Sequence, residues 1–104
     1  MQRHWITSAA VLAITMSGAA WADGAALYAQ KTCLACHGKD ARTPLMPAYP
    51  KIAGQNAAYL ERQMLDIKSG ARANGNSAAM QGVMGIVTEA DIKELAGYIS
   101  TLAP

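Results

Sequence analysis

Phenylalanine is absent from this chain of 104 residues, and tyrosine occurs only four times. A single domain of this length buries little apolar surface to begin with. Short of aromatic side chains, it needs a staple or another body to fill its middle. Cysteine is almost as scarce, with Cys33 and Cys36 the only two. An excess of one charge is also missing. Nine basic residues face seven acidic ones, which argues against nucleic acid as a partner. No segment alternates in the manner of a strand, and no repeat or second domain is visible.

The one long apolar run lies at the start. A short basic beginning, Gln2-Arg3-His4, leads into Trp5 to Trp21 and the small-x-small pattern Ala20-Trp21-Ala22, with charge resuming at Asp23. The run contains Thr7, Ser8, Thr15, Ser17 and Gly18 and is short for a span of about 20 residues. It reads as a secretory signal peptide over residues 1–22, cut after Ala22. No cysteine at that boundary offers a lipid anchor. The expected mature chain is residues 23–104, with no membrane span of its own. Loss of Arg3 leaves eight bases against seven acids, unevenly placed: residues 23–72 hold seven bases and four acids, residues 73–104 one base and three acids.

Three main helices are predicted, giving an all-α fold. The first runs from Ala25 to about Lys31. The second runs from about Ala57 to Lys68, with Ala57, Leu60, Met64 and Ile67 on one face, Asn56 as N-cap and Gly70 after the end. The third follows Thr88-Glu89-Ala90-Asp91, a capping-box pattern with Asp in the Glu/Gln position, and carries the stripe Ile92, Leu95, Ala96 and Ile99. Gly38 to Asn56 and Ser69 to Val87 read as irregular. Loops of that length are uncommon in a small domain unless they wrap something.

Chemistry concentrates in Cys33-Leu34-Ala35-Cys36-His37. A redox dithiol prefers a βαβ setting, and none is predicted. Zinc needs three or four protein ligands, and residues 23–104 hold no further Cys or His. A plain disulfide leaves His37 unexplained. Covalent attachment of haem accounts for all three residues: two thiols one turn apart add to the vinyl groups, and the imidazole of His37 meets the iron. The ring also supplies the missing core. For the sixth iron position, His4 departs with the signal. Met64 sits on an apolar helical stripe and reads as core. Met46 follows His37 too closely to reach the opposite face. Met80 and Met84 remain, and spacing alone does not separate them.

Over residues 23–104 the sequence resembles the class I cytochromes c, in particular one half of the dihaem c-four group and the small single-haem c-553 type. The matching stretches are "CLACHG", "YPKIAGQ" at Tyr49 to Gln55, "YLERQMLDIKSGAR" at Tyr59 to Arg72 and "AAMQGVMGIVTEADIKELAGYI" at Ala78 to Ile99. The resemblance implies the small class I fold, three main helices and long loops around one haem c. It implies Met80, eight residues before the Thr88 cap, as the axial ligand, with Met84 the runner-up. It also implies that the Pro50 carbonyl receives the Nδ1 proton of His37, that Ile52 packs on the haem, and that Gly24 and Tyr28 meet Leu95 and Tyr98 where the first and last helices cross. The segment from His37 to Pro50 departs from the family's pattern by one extra residue. A single Cys-x-x-Cys-His means a single haem.

The function expected is that of a periplasmic one-electron carrier, not an enzyme, shuttling between respiratory-chain or dehydrogenase partners as a monomer or weak dimer. Lys31, Lys39, Arg42 and Lys51 are candidates for a docking rim. Two alternatives stand beside it: a haem subunit docked in a larger oxidoreductase, and a haem enzyme or gas sensor with a labile sixth ligand.

Overall fold

The computed structural model describes residues 22–104; apart from Ala22, the expected signal segment lies outside them. Among the described residues there are five helices and no strand: α1 (Ala22–Gln30), α2 (Cys33–His37), α3 (Ala57–Ser69), α4 (Ser77–Met84) and α5 (Glu89–Ser100). None is long and apolar enough to cross a membrane.

Local chemistry sets the helix ends. Asn56 accepts the Tyr59 amide on its side-chain oxygen at 3.0 Å and starts α3. Gly70 stops it at φ +85 and donates its amide to the Ile67 carbonyl, a backbone state that disfavours any side chain. Thr88 Oγ1 accepts the Asp91 amide at 3.1 Å, and Asp91 Oδ2 accepts the Thr88 amide at 3.0 Å. The shorter Asp therefore completes the capping box that opens α5.

The apolar stripes then meet. Leu60, Met64 and Ile67 of α3 pack with Ile92, Leu95, Ala96 and Ile99 of α5, and Tyr28, Met84 and Val87 join the same core. α1 lies across α5 at a point with no room to spare. A β-carbon on Gly24 would fall 2.4 Å from Tyr98 Cβ and 2.6 Å from the Glu94 carbonyl oxygen. Beside it, the Tyr28 and Tyr98 rings are tilted by 53° with centroids 6.0 Å apart, within the range of favourable aromatic pairs.

Two helices were not expected from the sequence. The first predicted helix ends at Gln30, and Thr32, at φ +64, separates it from α2. The stretch Ser69 to Val87 is not irregular throughout, because it contains α4. Local signals for α4 are weak: Gly82 interrupts it, and Asn76 ahead of it makes no side-chain cap. Burial of Ser77 and Met84 holds it instead, a tertiary effect that outweighs propensity.

The segment between α2 and α3 has no regular structure and is pinned by hydrogen bonds. The Ala41 carbonyl accepts the amides of Ile52 and Ala53 at 2.9 and 3.0 Å, Leu45 N donates to Cys36 O at 3.0 Å, and Gly54 N donates to Ile99 O at 3.0 Å. The Asp40 carboxylate accepts the backbone amides of Arg42 and Thr43 at 3.0 and 2.9 Å. These bonds bring Pro50 back over α2.

Candidate haem-binding site

Cys33 and Cys36 sit three positions apart on α2, on one face of a single turn. Both are free and half-buried. Burial, more than the neighbouring Cys36, pushes the Cys33 thiol up to about 11. Few thiolates would form there at neutral pH, the reverse of what a redox-active dithiol requires. Among the described residues, no three of His, Cys, Asp and Glu gather into a metal-holding group.

His37 is buried at the end of α2. Its Nδ1 lies 3.0 Å from the Pro50 carbonyl oxygen. A carbonyl oxygen only accepts, so Nδ1 is the donor, and in the neutral ring Nε2 is the nitrogen that has the lone pair. Nε2 has no hydrogen-bond partner among the described residues. The next residue is clamped as well. Tyr28 donates its hydroxyl to the Gly38 carbonyl, and burial, ahead of nearby Cys33, Tyr98 and Asp40, raises that hydroxyl above its ordinary range. Gly38 is at φ +90, and a β-carbon there would fall 2.1 Å from the Thr43 carbonyl oxygen. Only glycine fits where the chain turns away from His37.

The methionines have different surroundings. Met84 is 2% and Met64 6% exposed, both inside the core, whereas Met46 is 44% exposed. Met80 is intermediate, only partly buried and packed against the core from outside. Ile52 takes a similar half-buried position on that core. Leu45, Met46, Tyr59 and Ile86 leave large apolar surfaces uncovered. An imidazole nitrogen with a free lone pair, two free thiols one turn apart and uncovered apolar side chains are together a donor set that fits haem c.

Of the four bases named as a docking rim, two already have partners. Lys31 Nζ lies 3.9 Å from Asp91 and Arg42 Nε 3.1 Å from Asp40. Lys39 and Lys51 are exposed. Sequence reasoning placed Tyr28 only at the helix crossing and did not foresee its bond to Gly38, nor the bond from Lys68 Nζ to the Met84 carbonyl at 2.9 Å. Bonds to main-chain carbonyls depend on tertiary approach and leave no pattern in a sequence.

Comparison with known proteins identifies the family. The cytochrome c family pattern matches residues 21–103. The chain is 40% identical over 70 residues to cytochrome c-554(548) of Halomonas halodenitrificans, covering 67% of this chain and 83% of that one. It is 36% identical over 94 residues to cytochrome c4 of Pseudomonas aeruginosa, covering 88% of this chain and 45% of that one. The crystal structure of reduced recombinant cytochrome c4 from Pseudomonas stutzeri superposes with a TM-score of 0.72 at 30% identity, over 82% of this chain and 49% of that one. The chain thus spans about half the length of the c4 proteins it matches. Its described residues form helices and no strand, and it belongs to the cytochrome c family, whose members carry covalently bound haem c and transfer electrons.

Proposed function

We propose that residues 23–104 form a periplasmic one-electron carrier, released by cleavage after Ala22. In this reading Cys33 and Cys36 would hold haem c as thioethers, and His37 and Met80 would ligate its iron. The observation that carries it is the bond from His37 Nδ1 to the Pro50 carbonyl. That bond fixes the ring, assigns the tautomer and leaves Nε2 as a donor, strengthened by the hydrogen bond behind it. When bound, haem c supplies one reversibly exchanged electron at its iron.

The chain's own residues do the rest. Met80 stands at the accessible edge of the core while Met84 is enclosed within it, which favours Met80 as the sixth ligand. A thioether sulfur there raises the potential. With His37 and Met80 both holding the iron, the chain would leave it no position for a substrate. Ile52, half-buried on the core, would pack on the haem. Lys39 and Lys51 flank the thioether edge and guide a negatively charged redox partner, in the weak encounter usual for electron transfer. The apolar run before Asp23, followed by a small-x-small site, supports export.

The test is the visible spectrum of the purified, reduced protein with and without carbon monoxide. A low-spin c-type spectrum unchanged by the gas is expected in the parent protein and in Met84→Ala, with a carbon monoxide shift in Met80→Ala. A shift in the parent protein would overturn the carrier reading in favour of a sensor or enzyme with a labile sixth position. A shift in Met84→Ala alone would transfer the ligand role to Met84.

A further inference from the structure

We propose that Lys68 is a positioning residue for the sixth ligand, holding α4 so that Met80 stays over the iron; the inference rests on the reading of Met80 as that ligand. Lys68 lies in the last turn of α3, half-buried, and its Nζ donates to the Met84 carbonyl at 2.9 Å. The same oxygen accepts the Val87 amide at 3.1 Å. Met84 is the last residue of α4, so the ammonium sits at the carbonyl end of that helix, where its dipole is negative.

Apart from the burial of Ser77 and Met84, α4 has few ties to the rest of the chain. It has eight residues, and its N-cap makes no side-chain hydrogen bond. Gly82 lies inside it, where a β-carbon would meet nothing within 4 Å, so packing does not demand the glycine and the helix is only softened by it. Among the described residues, Lys68 is the only side chain from another element that hydrogen-bonds to α4. The ends of the two helices are also close: a β-carbon on Gly70 would come 3.1 Å from Gln81 Nε2.

The geometry links this tether to Met80. Met80 and Met84 are four residues apart and share a face of α4. Met84 is anchored by the core and at its carbonyl by Lys68, and Met80, half-buried, stands one turn nearer the start of the helix. If the Met84 end loosens, the helix rotates or frays, and the Met80 sulfur moves with it. No pattern in the sequence marks Lys68 for this role, since it reads there as a charged residue on the polar side of α3.

The experiment compares the holoproteins of the parent chain, Lys68→Met, Lys68→Arg, Met80→Ala and the core variant Ile99→Val. Two quantities are read: the affinity of the ferric protein for added imidazole, and the hydrogen exchange of the α4 amides. Loss of a charge-assisted hydrogen bond predicts about tenfold tighter imidazole binding by Lys68→Met. Faster exchange confined to α4 should accompany it, and Lys68→Arg should stay near the parent. The role is overturned if Lys68→Met keeps the parent affinity while Met80→Ala binds tightly. It is equally overturned if Ile99→Val, which weakens the core without touching α4's tether, gives the same increase. If Met80→Ala binds imidazole no better than the parent, the assignment of Met80 fails, and the inference fails with it.

Discussion

At the scale of single residues, the site depends on hydrogen bonds aimed at main-chain carbonyls. His37 points one ring nitrogen at Pro50 and thereby frees the other. Tyr28 holds Gly38, the residue after it, by the same means. The Tyr28 ring stays buried without its hydroxyl, since it packs with Tyr98 and the core. Tyr28→Phe therefore isolates the bond. Thermal unfolding should report a loss of about 1 kcal/mol, with haem content unchanged. A variant as stable as the parent would show that Gly38 is held by its φ and by Thr43 alone. "CLACH" was legible as a haem-attachment motif because the chemistry lies in adjacent residues. Pro50, thirteen positions away, and the Nδ1 proton of His37 that its carbonyl receives were implied only by resemblance.

At the scale of elements, the crossing of α1 and α5 decides whether the helices close around the site. Two effects oppose each other in Gly24→Ala. Alanine favours a helix by about 1 kcal/mol over glycine. Its β-carbon, however, would sit 2.4 Å from Tyr98 Cβ and 2.6 Å from a backbone oxygen, and backbone cannot swing aside as a flexible side chain can. Overpacking of that kind costs about 1–3 kcal/mol, or more where the backbone itself must shift. The clash wins, and chemical denaturation should find Gly24→Ala less stable than the parent; a gain would mean that α1 rides free of α5. α3 and α5 were readable because each carries its cap, its apolar period and its stop in one short stretch. α4 was not, because an interior glycine and a missing cap leave its stability to Met84, Ser77 and Lys68.

At the scale of the whole molecule, two carboxylates tie stability to pH. The Arg42 amide, with further hydrogen bonds from Arg42 and Thr43, lowers Asp40 to about 2. The Thr88 amide holds Asp91 below the usual carboxylate range, aided by its hydroxyl and by Lys31 and Lys68. A folded-state value below the unfolded one of about 3.9 means stability that is complete above that pH and lost as pH falls through the folded value. Acid unfolding should therefore steepen below about pH 4. Asp40→Asn should flatten the dependence between there and about 2, and Asp91→Asn should flatten it on the acid side of about pH 4, both measured as unfolding midpoint against pH. An unchanged slope in both would place the acid sensitivity elsewhere. Neither bond lies in the core. One pins the loop that returns Pro50 to His37, and the other opens α5.

The sequence by itself determined the chemistry and the class: an attachment motif of five contiguous residues, two well-capped amphipathic helices, and too few aromatics to fill a domain unaided. These are local or compositional properties, and no folding is needed to read them. The tertiary structure alone decided which methionine is enclosed and which stands at the edge, since Met80 and Met84 share a face of one helix and differ only in what packs around them. It also decided which bases of the rim are already paired, and that a lysine at the end of α3 reaches the last carbonyl of α4. Those facts depend on approach between segments far apart in the chain, and approach is set by packing in three dimensions.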